Sequence, residues 1–139
     1  MDNRVLNYLS LARKAGLAEL GEEPVGAITR ALKGRLVIVA SDASDHTWRR
    51  AKSFVAGTDQ QCIRVGFTKD EIGFAIGRQS LAILALTDAA MAASFVKALP
   101  DTAKFADVTA KLDEKAAKLK QRKDEAKAHQ RNVRFGKKK

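Results

Sequence analysis

Val5, Leu6, Leu9 and Ala12 recur at helical spacing, with Asp2 or Asn3 able to cap the start and Gly16 placed to end the segment in a left-handed conformation. Residues 17–20 leave room for a short extended piece only. The run Gly21-Glu22-Glu23-Pro24 follows, and because proline suits the first turn of a helix and disfavours helical geometry just before it, a second helix is predicted to begin near Pro24. Val25, Ile28 and Leu32 form its apolar stripe, and Gly34 is placed to end it.

Leu36-Val37-Ile38-Val39-Ala40 is an uninterrupted, mostly β-branched run, the pattern of a central strand covered on both faces. Residues 41–44 offer capping side chains to a third helix, with Trp48, Ala51 and Val55 facing inward and Arg49, Arg50 and Lys52 outward. After the turn Gly57-Thr58-Asp59, Cys62 to Val65 reads as the next strand. Thr68-Lys69-Asp70-Glu71 matches a capping box, in which hydroxyl and carboxylate exchange hydrogen bonds with the first backbone amides. The short helix it opens stops at Gly77.

Residues 81–86 form another buried strand, and Thr87 or Asp88 caps a fifth helix that Pro100 ends. The whole predicts an α/β fold for residues 1–100, a three-layer α/β/α sandwich around a four-stranded sheet, mostly parallel or mixed. Phe105, Val108, Leu112 and Leu119 then give a helical stripe that fades before Lys120. Residues 101–139 are accordingly expected to be a basic helical tail whose first half is packed against the domain and whose end is disordered.

Charge sharpens this division. The protein has 26 Lys and Arg against 16 Asp and Glu, net +10. Residues 1–100 hold 13 basic and 10 acidic side chains, whereas residues 101–139 hold 13 and 6, so the tail carries +7 of the excess. Such a field attracts polyanions, nucleic acid above all; a solvated helix that keeps the protein soluble is the alternative. Lys111, Lys115, Lys118, Lys120, Arg122, Lys123, Arg131 and Arg134 are the candidates for nonspecific contact. No signal peptide is expected, because the apolar stretch 5–12 is short and runs into Arg13 and Lys14. Asp88 inside the apolar region 81–99 argues against a membrane span, since an aspartate at a span's centre costs roughly 2.5–3.5 kcal/mol. With Cys62 as its single cysteine, the chain has no internal disulfide and too few thiols for a structural zinc site, which fits a reducing, cytoplasmic setting.

Catalytic patterns are scarce. His46 and His129 have no ligand or carboxylate neighbours at a recognised spacing, and Cys62, on a strand beside Ile63, reads as a buried, inert thiol. There is no phosphate-binding loop or dinucleotide fingerprint, and the G-x-x-x-G of Gly73 and Gly77 in a short helix carries no signal of its own. No cofactor, metal or enzymatic activity is expected. Glu22 and Glu23 stand where a helix macrodipole favours negative charge; the functional alternative is that they accept hydrogen bonds from base N–H groups.

The order of these pieces carries a further signal. Leu9-Ser10-Leu11-Ala12-Arg13-Lys14-Ala15-Gly16, Gly21-Glu22-Glu23, the run from Leu36 to Ser44 and the run from Phe67 to Arg78 together resemble the bacterial YlxQ proteins of the kink-turn-binding ribosomal-protein superfamily, of L-seven-Ae and L-thirty-e type. The resemblance covers residues 6–99. It implies RNA as the ligand, ribosomal or nascent, and Arg13, Lys14, Gly16, Gly21, Glu22, Glu23, Gly77, Arg78, Gln79 and Ser80 as the binding edge. Kink-turn binders of the superfamily present G-x-N-E-x-x-K at the start of the second helix; here Glu23, Pro24 and Ala27 stand at the asparagine, glutamate and lysine positions. In some bacteria a YlxQ-like domain follows a YlxR-like one in proteins implicated in transcription termination, and the resemblance extends to the carboxy-terminal part of such a protein. Contacts to ribosome or RNA polymerase, or service to a separate RNA-modifying enzyme, are the alternatives.

Overall fold

In the computed structural model, which describes residues 3–135 and the side chains of 4–129, the β-branched run forms β2 (Leu36–Val39), buried along its whole length. Alternation along the strand sorts its side chains into two cores. Leu36, Ile38 and Ala40 join a cluster with Val5, Leu9 and Ala12 of α1 (Asn3–Lys14), Ile72 of α4 (Lys69–Ala75) and Phe95 of α5 (Ala89–Ala98), while Val37 and Val39 meet Val25 of α2 (Glu22–Arg30) and Ala51 of α3 (Asp45–Val55). The result is the three-layer sandwich expected, with α1, α4 and α5 on one face and α2 and α3 on the other.

The sheet is completed by β1 (Ala18–Leu20), β3 (Gln61–Arg64) and β4 (Ile83–Leu86), in the order β1-β4-β2-β3. Only β2 and β3 are parallel; β4 runs antiparallel to both its neighbours. The sheet is therefore mixed, because the chain enters β4 at the end where β2 leaves: Ala40 N–H donates to the Ala82 carbonyl at 2.9 Å. Leu84 and Leu86 face the first core, Ile83 and Ala85 the second.

Caps fall where the side chains predict them. Ser44 accepts from Thr47 N–H at the start of α3, Asp88 accepts from Met91 N–H at the start of α5, and Thr68 and Glu71 form the complete capping box of α4. Gly16 has φ 74° after α1. Asp2 lies outside the described residues.

Two details of α2 differ from expectation. It begins at Glu22, with Gly21 as its N-cap residue, and so holds Pro24 within its first turn; first-turn amides have no intrahelical partner, so proline costs nothing there. It also ends early. Leu32 lies outside the helix, 56% exposed and at φ 61°, in the left-handed region that disfavours side chains. The hydrogen bonds Lys33 N–H to Ile28 carbonyl and Leu32 N–H to Thr29 carbonyl, both 3.0 Å, make a Schellman motif. The backbone turns on Leu32, before Gly34 is reached.

The end of α4 repeats this motif with glycine at the left-handed position. Arg78 N–H donates to the Gly73 carbonyl at 2.8 Å and Gly77, at φ 78°, donates to Phe74. The loop 77–80 then folds back on the helix so closely that a Cβ on Gly73 would stand 2.5 Å from Ser80 Cα. The G-x-x-x-G pair thus has two separate duties, a close approach and a left-handed turn, that its spacing alone does not reveal.

Beyond a 3₁₀ turn (Thr102–Phe105), α6 (Ala106–Phe135) lies along α5. Leu112 is 2% exposed and belongs to the first core, with Phe105 and Val108 packed on it. Lys97 pairs with Asp113 and Lys115 with Asp59, each at 2.9 Å. The Lys115 hydrogen bond holds the Asp59 carboxyl below its ordinary value. The side chains of Arg131, Val133 and Arg134 lie outside the described residues, as do residues 136–139.

Two substitutions test the backbone account. Gly73→Ala drives a methyl into backbone that cannot yield as a side chain would, and is expected to destabilise the fold by about 1–3 kcal/mol in chemical denaturation. Leu32→Gly removes a left-handed penalty of about 1 kcal/mol at an exposed site, against a comparable rise in unfolded-state freedom. It should leave the midpoint unchanged or raised, where the same change inside α2 would lower it.

Candidate functional site

The register of β1 on β4 decides which predicted residues meet. Gly21 N–H donates to the Ile83 carbonyl at 3.0 Å, so the amino end of α2 sits beside the chain entering β4 from the loop 77–80. Gly21, Glu22 and Glu23 thereby share one end of the sheet with that loop, in which Gly77, Arg78, Gln79 and Ser80 are all exposed. Gly16 is not there. Its neighbour Leu17 accepts from Thr87 N–H at the far end of β4, four residues and about 13 Å of strand away from Gly21.

Arg13 reaches the loop by a different route. From the last turn of α1 its guanidinium donates to the Ile76 carbonyl at the end of α4, and its terminal nitrogen lies 3.2 Å from where a Gly77 Cβ would stand. Lys14 and Arg78 have no ion pair or side-chain hydrogen bond within the described residues. The loop therefore carries one cation, Arg78, and is bordered by two more, of which Arg13 is fixed to backbone and Lys14, like Arg78, has no ion pair within the described residues.

The carboxylates are placed less symmetrically. Glu22 Oε2 lies 3.5 Å from Arg50 Nε on α3, and the Arg50 guanidinium covers the Phe54 ring at 5.4 Å. Glu23 is exposed in the first turn, where the helix macrodipole favours it. Arg50 is a cation at this end of α2 that sequence reading, which assigned it only to an outward face, did not connect to Glu22. With His46, Arg49 and Ser53 it lines a shallow basic surface of about 330 Å³ on α3.

A second omission is larger. Phe74 on α4 is 87% exposed and borders a cleft of about 500 Å³ with Ser10, Arg13, Lys14 and Gly77. The signal was present in the periodicity: Ile72 and Ile76 are buried on the inner face, and a residue midway between positions four apart must point away from it.

The tail candidates divide. Lys115 is half-buried and committed to Asp59, and Lys118 lies 3.4 Å from Glu114 in an exposed pair of small energetic weight. Lys111, Lys120, Arg122 and Lys123 are exposed. Cys62 is half-buried, and loss of solvent pushes its thiol up to about 12 although Lys52 acts in the opposite sense; it is a poor nucleophile. No three His, Cys, Asp or Glu residues among those described could hold a metal ion, and no described helix is long and apolar enough to cross a membrane.

No protein-family model and no curated protein sequence matches the chain. Its fold, however, recurs in solved structures. A Bacillus halodurans C protein of unknown function superposes with a TM-score of 0.64 at 26% identity, over 69% of this chain and 96% of that one. The 15.5 kD RNA-binding protein of Giardia lamblia superposes with a TM-score of 0.59 at 16% identity, over 70% of this chain and 85% of its own.

Proposed function

We propose that the protein binds structured RNA, without catalysing a reaction, through the end of the sheet where the start of α2 adjoins the loop 77–80. That juxtaposition carries the reading. A helix amino terminus and an exposed, glycine-hinged loop bordered by Arg13, Lys14 and Arg78 offer phosphate contacts together with groups held rigidly enough to discriminate bases. The Giardia protein, which binds RNA, shares the fold. The YlxQ resemblance supports ribosomal or nascent RNA as the target, with a part in ribosome function or transcription termination. Glu23, Pro24 and Ala27 in place of an N-E-K pattern argue for an RNA element other than the kink-turn. Cations of α6 add attraction that does not depend on sequence.

A second reading rests on a different feature. The groove between α5 and α6, about 400 Å³ and lined mainly by Ala89, Ala90, Ala116, Ala117 and Leu119, suits an adaptor docking to ribosome or RNA polymerase. Co-purification that survives exhaustive nuclease digestion would favour it.

The two basic elements should separate in binding assays. Ending the chain at Gln121 spares Leu112 and the Asp59–Lys115 pair but removes the distal cations. It is expected to weaken binding to all RNAs by similar factors and to flatten the salt dependence, by about 0.7–0.9 in the log–log slope per lost phosphate contact. Arg78→Ala should lower affinity while reducing that slope by about one contact. Glu22→Gln, which releases Arg50, should change the preference between a selected RNA and its scrambled form. Loss of selectivity on truncation, with Glu22→Gln unaltered, would place recognition in α6.

A further inference from the structure

A lone apolar side chain on a protein surface needs no explanation, but Phe74 differs from one in three respects. It is 87% exposed, so it supplies little to either core. It stands on a helix fixed at both ends, by the Thr68–Glu71 capping box and by the left-handed turn at Gly77, and held against the Ser80 backbone through Gly73. And it borders a cleft lined on the α4 side by Ala75, Ile76 and Gly77 and on the α1 side by the polar and cationic Ser10, Arg13 and Lys14. Arg13 is held there by its bond to the Ile76 carbonyl, while Lys14 has no side-chain hydrogen bond or ion pair among the described residues.

We infer that this cleft is a subsite for one unpaired nucleotide, whose base stacks on the Phe74 ring and whose phosphate meets Lys14. The inference rests on the RNA reading above and extends its binding edge, with which the cleft shares Arg13, Lys14 and Gly77, onto the surface between α1 and α4. The chemistry selects the occupant. A flat aromatic face accepts any base by stacking, adjacent cations suit its phosphate, and a hydroxyl such as Ser10 supplies a polar contact of either sense. An apolar peptide would leave Lys14 without an anion. The volume, about 500 Å³, falls within the range of roughly 300–1,000 Å³ typical of small-ligand pockets. Because the ring is held on a rigid helix, no ordering of the backbone opposes the stack.

The full-length protein can be titrated with two fluorescent probes of equal length, a single-stranded oligoadenylate and a fully paired RNA duplex. Phe74→Ala should lower affinity for the single strand by roughly 5- to 100-fold, the scale of one lost base–aromatic stack, while binding to the duplex changes by less than two-fold. Phe74→Trp should restore single-strand binding. The log–log salt slope of Phe74→Ala should equal that of the unaltered protein, whereas Lys14→Ala should reduce it. Since Phe74 is exposed, its thermal midpoint serves as the folding control and should not move. If the unaltered protein binds both probes and Phe74→Ala binds the single strand as well as it does, the subsite is wrong and the RNA reading stands. If the unaltered protein binds neither probe, both fall.

Discussion

β4 lies between β1 and β2 and runs against both, and the geometry of the candidate interface depends on that placement. A strand drawn from late in the chain is inserted between two drawn from its start, so its entry point falls beside the exits of both neighbours. Gly21, Ala40 and Ala82 are brought to one end of the sheet by backbone hydrogen bonds alone. No side chain needs to span the distance between the start of α2 and the loop 77–80, and side-chain substitutions around that end can alter what is bound while the scaffold that presents them persists.

The loop itself is shaped by an absence. Gly73 lets α4 approach the Ser80 backbone to a separation that no side chain would tolerate, and Gly77 supplies the left-handed turn between them. Two missing methyl groups therefore set the position of Arg78, Gln79 and Ser80 on one side and of Phe74 on the other. The Schellman turn after α2 shows the alternative: there Leu32 accepts the left-handed conformation, and the cost is borne because the hydrogen bonds to Ile28 and Thr29 still form.

Much of this was legible in the sequence, and the reasons divide by range. Caps at Ser44, Thr68 and Asp88 are local contests between side-chain and backbone hydrogen bonds, so they could be read in place. The helices and buried strands follow from periodicity. Strand direction does not, because a strand buried on both faces has the same apolar pattern whichever way it runs; the sequence therefore left a mostly parallel and a mixed sheet both open, and the structure has the mixed one. Pro24 was a sound sign of a helix start but gave its position within a turn only. Gly73 and Arg50 acquire meaning from partners seven and twenty-eight residues away, Ser80 and Glu22, which a reading along the chain cannot pair, whereas the outward aim of Phe74 lay in the periodicity of α4.

α6 couples an anchored segment to a projecting one without a hinge. Leu112 and Lys115 hold its first half to the domain, and Lys123 still borders the groove with α5. From there the helix continues to Phe135, a further 12 residues or about 18 Å, more than twice the screening length of about 8 Å at physiological ionic strength. Under the RNA reading proposed above, the distal charges would act as a separate, directionally set arm rather than as part of the domain's own field. A flexible tether of the same composition would sample a sphere of positions. A helical arm would instead set one span, so under that reading the length and curvature of the RNA, as well as its charge, would determine whether both ends of the protein engage at once.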